Sequence, residues 1–455
     1  MEARRYVKVA MTIAGSDSGG GAGIQADLKT FAAMGVHGTT AITSITAQNT
    51  YEVRAVHDVP PDVVVAQIEA VADDLGIDAA KTGMLSNADI IRAVAKTVDR
   101  YGFPLVVDPV MIAKSGAPLL REDAMGALIK EMISRAWVVT PNRMEAERIL
   151  GTRISSIEDA REAARRIVEE LGAQAAIVKG GHLGGEYSVD VMYYRGRFYE
   201  YKAPRIDRKT THGTGCSFSA AIAAGLAKGR SIPEAVDVAK KFITMAIEYG
   251  LEIGRGHGPV NPSAWVDIPA ERYRVLVELE EALLKLEKEG RKIVKLVPEV
   301  GMNLGYALPK LYARGLMDVA AVPGRISVYR DTIFVPAKPE FGVSRHVAAA
   351  ILTAMEHDPD VRSAANIVLN PEVESAVKRL GFSWSFFDRR EEPEDVKKRE
   401  GGTTRWGIQA AIRRASRVPD LVFDYGEHGK EPLAFVFGRT PAEVVEKMLR
   451  IAAEV

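Results

Sequence analysis

The segment Thr211-His-Gly-Thr-Gly-Cys216 combines small residues with a thiol at the start of a predicted helix. Backbone N–H groups at such a position can converge on an anion, which suits the charge that develops on a phosphoryl group during its transfer. Gly213, Thr214 and Gly215 would bring these amides together. A thiol in the first helical turn is expected to have a lowered pKa and to act as a general base, so Cys216 is the predicted catalytic residue. Taken alone, the segment is more often a glycine-rich helix start with a small buried cysteine.

Polar side chains at the ends of other predicted strands could complete a nucleotide site. Asp108 ends an apolar strand and could hold Mg2+ or lie near a triphosphate, although a turn before the following proline explains it as well. Asn142 and Glu145 place an amide and a carboxylate at another strand end, where helix capping by Asn142 is the alternative, about equally favoured. Lys179 follows an apolar strand and precedes two glycines, which favours a phosphate contact over a solvated lysine.

An alternation of strands and helices predicts the frame that positions these residues. The predicted strands are 7–15, 38–46, 77–84, 104–110, 136–142 and 175–181. Helical stretches between them indicate an α/β fold with a mostly parallel sheet and helices on both faces. In such sheets ligands bind at the carboxyl ends of the strands, where the polar segments fall. The glycine-rich turn at 15–23 is not a P-loop, because no Gly-Lys-Ser/Thr follows it.

Composition limits the classes of function. The 455 residues are too many for one typical domain. The chain carries 60 Lys and Arg against 60 Asp and Glu, which argues against a dedicated nucleic-acid binder. No apolar run reaches the length of a membrane span. A single cysteine excludes an intrachain disulfide and fits a reducing cytosol, so a cytoplasmic location and no membrane partner are expected.

Seven motifs occur in order in the first part of the chain: AGSDSGGGAGIQADLKT, TSITAQNT, KTGML, VVDPVM, TPNRMEA, VKGGH and THGTGCSFSAAIAAGLA. Together they resemble the hydroxymethylpyrimidine and phosphomethylpyrimidine kinases of the ribokinase-like superfamily over residues 7 to about 260. The resemblance implies that the pyrimidine alcohol and then its monophosphate are phosphorylated, with ATP and Mg2+ as cofactors. It implies a homo-oligomer, with a dimer expected.

The same resemblance implies roles for individual residues. Those expected around the pyrimidine are Gly15, Gln48, Met84 and Cys216, with Asp27 nearby. Gln48 suits the ring nitrogen and the exocyclic amine because its amide both donates and accepts. Those expected to serve ATP are Asp108, Asn142, Glu145, Lys179 and Thr214, with the metal ion at Asp108 and Glu145. Gly213 and Gly215 would act with Cys216 at the reacting group.

The pattern of strands and helices in the rest of the chain predicts a second, smaller α/β domain at 272–455, after a linker at 261–271. Residues 342–355 predict a helix whose first residues are Arg345 and His346, a candidate site for phosphate or pyrophosphate. Arg325 adds a cation near a strand. Surface charge is the alternative, and a lone histidine at a helix start is more often structural. The segment 400–407 is predicted to be a polar, glycine-rich loop.

Six motifs of this second part, in order, are PEVGMNLGYALP, VPGRISV, FGVSRHVAAAILTAM, RSAANIVLN, SWSFFDRREEPEDV and FDYGEHGKEP. They resemble the thiamine-phosphate synthase domain that is fused behind such kinases, mainly in archaea. The implied reaction joins the pyrimidine methylene carbon to the nitrogen of a thiazole phosphate and releases pyrophosphate. Arg325 and His346 are the expected catalytic residues, and Asn303 and Arg345 the supporting ones. The alternatives are a thiamine-phosphate-binding regulatory domain, or a pyridoxal kinase-like first domain.

Overall fold

The computed structural model describes residues 6–113, 116, 118–181, 185–397, 402–427 and 429–455. The chain divides into two compact units, Met1–Val266 and Asp267–Val455. The division falls within helix Ala264–Lys288, which begins inside the segment 261–271 that the sequence predicts as a linker. In the described ranges, none of the helices is both long enough and apolar enough to pass through a membrane.

Among its described residues, the first unit contains ten strands. They are β1 (Val9–Ala14), β2 (His37–Ile42), β3 (Ser44–Gln48), β4 (Val53–Asp58), β5 (Ala79–Thr82), β6 (Leu105–Val107), β7 (Val138–Val139), β8 (Ala175–Val178), β9 (Tyr187–Tyr194) and β10 (Arg197–Pro204). Eight of them form one sheet in the order β10-β9-β8-β7-β6-β5-β1-β2, parallel from β2 to β8, with β9 and β10 antiparallel at one side. Strands β3 and β4 form a separate antiparallel ribbon.

Helices cover both faces of this sheet. They are α1 (Gly23–Ala33), α2 (Pro61–Asp74), α3 (Ala88–Tyr101), α4 (Met125–Ala127), α5 (Arg143–Leu150), α6 (Ile157–Leu171), α7 (Thr214–Ala227) and α8 (Ile232–Glu248). Successive strand residues enter two different cores: Leu105 and Val107 pack with α2, α3 and α6, whereas Val106 packs with α1, α7 and α8. Burial on both sides explains why the central strands are continuous apolar runs. The predicted fold class is confirmed.

The second unit has a seven-stranded sheet and a hairpin. Its strands are β11 (Leu304–Ala307), β12 (Val319–Ala321), β13 (Ser327–Tyr329), β14 (Thr332–Phe334), β15 (Glu340–Phe341), β16 (Ser363–Val368), β17 (Trp384–Phe387), β18 (Leu421–Asp424) and β19 (Leu433–Gly438). The sheet order is β15-β12-β11-β16-β19-β18-β17, and β13 pairs with β14. Only the β17–β18 pair is parallel among the pairs of the described sheet. The carboxyl ends of β12, β16, β17 and β18 therefore meet the amino ends of β11 and β19 at one edge.

The helices of this part are α9 (Ala264–Lys288), α10 (Gly290–Ile293), α11 (His346–Ala354), α12 (Pro371–Arg379), α13 (Glu394–Lys397), α14 (Gly402–Ala415) and α15 (Pro441–Ala452). The predicted loop at 400–407 is wrong from Gly402 onward, because α14 begins there. The buried side of α14 packs against the Phe387 ring. A Cβ atom at Gly407 would lie only 2.7 Å from that ring. The glycine that suggested a loop instead permits this close helix packing, so tertiary contact outweighs local propensity.

Candidate functional site

The predicted residues of the first unit converge on one cavity of about 670 Å3. It opens where the parallel strands end and where helix α7 begins. Its walls include Gly15, Gln48, Met84, Asp108, Asn142, Glu145, Lys179, Gly213, Thr214, Gly215 and Cys216. Asp27 is the predicted site residue that does not line it. Residues that lie far apart in the sequence are thus brought together by the shared edge of the sheet.

The start of α7 reaches the cavity through a close backbone contact. Gly213 has a φ of +81°, and a Cβ atom there would lie 1.9 Å from the carbonyl oxygen of Gly21. The amide of Ser217 donates to the Gly213 carbonyl, which closes the first helical turn. The Thr214 hydroxyl donates to the Thr211 carbonyl at 2.8 Å and fixes the backbone that leads into the helix. Only glycine tolerates both the positive φ and the close approach of the Gly21 carbonyl at position 213.

The sequence predicts a lowered pKa for Cys216, and this prediction is wrong. Burial raises the pKa of the Cys216 thiol to about 11. The charge of Lys81 opposes this shift, while the carboxylates of Asp27 and Asp108 add to it. The helix N-terminus does not outweigh the removal of the thiol from water. Cys216 is therefore a neutral thiol at neutral pH in this structure.

Asp108 and Lys179 form an ion pair beside the start of α7. The Lys179 Nζ donates to Asp108 Oδ1 at 3.3 Å, and the Ser219 hydroxyl donates to Asp108 Oδ2 at 3.3 Å. A Cβ atom at Gly215 would lie 3.5 Å from both charged groups, so this glycine lets them approach the helix. Burial lowers the pKa of Lys179, but the nearby carboxylates of Asp108 and Glu145 outweigh it and the pKa is raised. Lys179 stays cationic.

Asn142 and Glu145 form the helix cap that was the alternative interpretation, and they also line the cavity. Asn142 Oδ1 accepts from the Glu145 amide at 2.9 Å, and Glu145 Oε2 accepts from the Asn142 amide at 2.7 Å. Burial raises the pKa of Glu145 to about 7; the charge of Lys179 opposes this shift and that of Asp108 adds to it. The two interpretations are compatible, because the cap holds a titratable carboxyl group in the cavity wall.

Asp108 and Glu145 suit a magnesium ion that also binds phosphate oxygens. Within the described ranges, no group of three or more His, Cys, Asp or Glu side chains gathers as a metal site. Mg2+ is usually held by one or two carboxylates together with water and substrate phosphates, and these two residues meet that requirement.

The sequence analysis missed Lys81 and assigned Asp27 a different place. Lys81 Nζ lies 2.8 Å from Asp27 Oδ2, and neither side chain has any exposed surface. The Thr12 hydroxyl donates to the same Asp27 oxygen at 2.6 Å. Lys81 contributes to the cavity wall, and Asp27 lies behind it as the counter-ion. The sequence signal for this ion pair was a lysine inside the apolar strand segment IDAAKTGM, because a buried charge requires a partner.

A second missed pair fixes the glycine-rich turn. The Asp17 carboxylate accepts from the backbone amides of Gly19, Gly21 and Ala22 and lies 2.9 Å from His212 Nε2. Burial raises the Asp17 pKa, but the hydrogen bond and charge of His212 together with the backbone donors outweigh it, so the pKa is lowered. Asp17 thereby holds the loop that contacts the start of α7.

In the second unit, Arg325, Arg345 and His346 lie at the sheet edge where β12 ends. Arg325 has a φ of +66°, a strained conformation for a residue with a side chain, and its guanidinium donates to the Val300 carbonyl. His346 Nδ1 lies 3.2 Å from the Thr404 hydroxyl. Partial burial, followed by the charges of Arg325, Arg389 and Arg345, lowers the pKa of His346. The arrangement is a cationic cluster with a neutral imidazole.

Asn303 and Arg389 both make hydrogen bonds that hold this edge of the second unit together. Both ends of the Asn303 amide bond the backbone of Val322 at 2.9 Å, so this buried residue ties β11 to the end of β12. Arg389, which the sequence analysis did not select, donates to Asp424 through Nε at 2.8 Å and also through Nη2. Asp424 fixes the guanidinium near His346. A pair of this kind cannot be recognised in the sequence because its members are 35 residues apart.

Two protein families match the chain, one in each unit. Residues 17–261 match the family described as phosphomethylpyrimidine kinase. Residues 278–450 match the family described as thiamine-phosphate synthase ThiN.

Relatives and a solved structure match the first unit. A hydroxymethylpyrimidine/phosphomethylpyrimidine kinase of Bacillus subtilis is 50% identical over 258 residues, which cover 56% of this chain and 95% of that protein. The thiamine biosynthesis bifunctional protein ThiED of Geobacter sulfurreducens is 49% identical over 252 residues, 55% of this chain and 51% of that protein. The structure of a Bacillus subtilis pyridoxal kinase with ADP is 41% identical, with a TM-score of 0.53, and covers 57% of this chain and 98% of that one.

The geometry at Gly213 leads to a stability prediction. Replacement Gly213→Ala should lower the free energy of unfolding by more than the ~1–2 kcal/mol that a left-handed conformation alone costs, because the new methyl group meets the Gly21 carbonyl. Gly229→Ala is the matched control, since Gly229 has a φ of +78° but nothing within 4 Å of its Cβ position. Urea unfolding of both variants measures the difference. Equal losses would show that the contact with Gly21 does not matter.

Proposed function

The chain belongs to the phosphomethylpyrimidine kinase family, and from this premise we propose how its two units divide the steps of thiamine biosynthesis. The first unit phosphorylates 4-amino-5-hydroxymethyl-2-methylpyrimidine and then its monophosphate, with ATP as the donor. The second unit couples the resulting pyrophosphate to thiazole phosphate. The observation that carries the kinase assignment is the cavity where the start of α7, the Asp108–Lys179 pair and Cys216 meet.

In the kinase step, Cys216 first loses its proton to solvent, and the Sγ thiolate then accepts the proton of the pyrimidine hydroxymethyl group. The freed oxygen attacks the γ-phosphorus of ATP, and the bond from that phosphorus to the bridging oxygen breaks to release ADP. The amides at the start of α7, around Gly213 and Gly215, stabilise the charge on the transferred group. Lys179 adds a fixed positive charge on the phosphate side. Gly15, Gln48 and Met84 form the proposed wall for the pyrimidine.

We assign the nucleotide and its metal ion to the opposite wall. Asp108 and Glu145 would hold Mg2+, which when bound neutralises phosphate oxygens of the triphosphate. Asn142 holds Glu145 in place through the cap. Thr214 is the first residue of α7 and lines the same cavity. The pKa of Glu145 near 7 means that its carboxylate is available to a cation increasingly as the pH rises through that value.

In the synthase step, the carbon–oxygen bond to pyrophosphate breaks and the thiazole nitrogen bonds the pyrimidine methylene carbon. The departing pyrophosphate requires cations, and Arg325, Arg345 and Arg389 supply them in the cluster around His346. The neutral His346 imidazole, with Nδ1 at the Thr404 hydroxyl, can donate from Nε2 to a pyrophosphate oxygen. Asn303 supports this edge through its bonds to Val322, and its contact with substrate stays a prediction.

Pyridoxal is the second candidate substrate of the first unit, because a solved pyridoxal kinase shares its fold at 41% identity. We expect the pyrimidine alcohol to be the better substrate, in keeping with the family match. A direct comparison of kcat/KM for the two alcohols decides between them. A cytoplasmic location stays a prediction from the single cysteine.

The complete chain, supplied with hydroxymethylpyrimidine, thiazole phosphate, ATP and Mg2+, should form thiamine phosphate. Cys216→Ala should slow phosphorylation by roughly 10²–10⁴-fold, the usual contribution of a general base. The same variant supplied with the pyrimidine pyrophosphate should form thiamine phosphate at the normal rate, because the second unit is unaltered. Chromatography of the products measures both. Undiminished phosphorylation by the variant would contradict the role of Cys216.

The cationic cluster leads to a separate prediction for the second unit. Replacing Arg325 and His346 together with Ala should abolish thiamine-phosphate formation from the pyrimidine pyrophosphate and leave phosphorylation of the alcohol unchanged. Arg439→Ala is the control, because this exposed arginine follows β19 at the opposite edge of the sheet. Binding of thiamine phosphate without any turnover by the unaltered chain would instead favour the regulatory domain.

We also propose that the chain forms a homodimer through the β3–β4 ribbon. Ile45 on one face of this ribbon is 54% exposed, and Val63 on the following helix is 45% exposed. Burial of such side chains against a second copy would remove apolar surface from water. Light scattering should give twice the mass of the chain, and Ile45→Lys should reduce it to that of one chain. A monomer in the unaltered protein would exclude this dimer.

A further inference from the structure

Lys81 is a buried cation whose position the fold specifies closely. It lies on the central strand β5, opposite Thr12 of β1 in the parallel register. Asp27 on α1 holds its ammonium at 2.8 Å. The neighbouring Gly83 provides the space, since a Cβ atom there would lie 2.9 Å from Lys81 Nζ. Three separate elements therefore place one ammonium group in the floor of the cavity.

The charges that act on the Cys216 sulfur show why this ammonium matters. Asp27 on α1 and Asp108 after β6 both oppose a negative charge on the sulfur, and burial opposes it more strongly. The Gly23 amide and Lys81 favour it, and Lys81 is the stronger of the two. The pKa of Lys81 is raised, because Asp27, Cys216 and Asp108 outweigh the effect of burial.

Lys179, another cation of the cavity wall, is committed elsewhere. Lys179 donates to Asp108 and interacts with Glu145, on the side assigned to the phosphates. Asp108 is engaged by Lys179, Ser219 and Thr140. Lys81, by contrast, has the buried Asp27 as its partner, and it lines the same cavity wall as Cys216. A buried ion pair that served stability alone could be replaced by apolar side chains at little cost.

We propose that Lys81 is a positioning residue for phosphoryl transfer, and that its ammonium stabilises the negative charge on Cys216 Sγ and so sets the fraction of reactive thiolate. The inference rests on the proposed kinase function. Lys81 gives up no proton: the thiolate takes the proton of the substrate hydroxyl and becomes a thiol, while the substrate oxygen bonds the γ-phosphorus and ADP leaves. Asp27 and Thr12 keep the ammonium in place during this exchange.

The single cysteine of the chain allows a direct test without nucleotide or substrate. The rate of alkylation by iodoacetamide between pH 7.5 and about 9.5 reports the thiolate fraction of Cys216, because the thiolate is the nucleophile. Lys81→Met should slow alkylation about tenfold or more at each pH, since loss of an opposite charge nearby raises a pKa by ~1 unit or more. Asp27→Asn should accelerate it, because it removes an anion and frees the ammonium to face the sulfur.

Lys240→Met is the matched control. Lys240 is a second buried lysine of this unit, paired with Asp190 at 2.8 Å, and its loss should leave alkylation unchanged. If Lys81→Met does not fold, the double variant Lys81→Met with Asp27→Asn removes both charges, and alkylation should still be slower than in the unaltered chain. The kcat of phosphorylation by Lys81→Met should fall with alkylation, with the KM for ATP unchanged.

The possible results separate the two hypotheses. Equal alkylation rates in the unaltered chain and in both the Lys81→Met and Asp27→Asn variants would overturn the role of Lys81, whatever the kinase does. Slower alkylation and a lower kcat in Lys81→Met would support it. If the unaltered chain phosphorylated no pyrimidine, the proposed function would fail, but the alkylation rates would still report whether Lys81 acts on the sulfur.

Discussion

The contact between the Gly21 carbonyl and the backbone of Gly213 is the constraint on which the first site depends. It joins the turn after β1 to the start of α7, two segments that are almost 200 residues apart. Asp17 fixes the turn through three backbone amides and through His212, which directly precedes Gly213. The first turn of α7 can face the cavity because neither side of this contact carries a side chain.

The sequence predicted the frame and most of the cavity wall for one physical reason. In a parallel sheet that is covered on both faces, strands are apolar runs and the polar residues collect after their carboxyl ends. Asp108, Asn142 and Lys179 could therefore be placed near one another from the sequence pattern alone. The second unit has a mostly antiparallel sheet, in which strand ends and strand starts alternate along an edge. The cationic cluster around His346 was predicted only in part, and its Arg389 was missed.

Burial explains the main errors of sequence reasoning. A helix start lowers the pKa of an exposed thiol, but the surroundings of Cys216 are contributed by β5, α1 and the segment after β6, and no local pattern shows them. Asp27 was expected near the substrate because the resemblance to the kinase family implied that place. In the fold its side chain points to Lys81, 54 positions away. For the same reason, Gly407 of α14 was predicted to lie in a loop, because the sequence does not show that Phe387 packs against it.

The charges of the cavity wall offset one another before any substrate enters. Lys81 is matched by Asp27 and Lys179 by Asp108, while Glu145 titrates near neutral pH and Cys216 holds its proton. A nucleotide brings several negative charges into this wall. A thiolate already present would repel them, whereas a thiol that gives its proton to solvent only in the assembled site would not. The raised pKa of Cys216 is therefore compatible with catalysis, provided that a fixed cation stands beside the sulfur when the proton is exchanged.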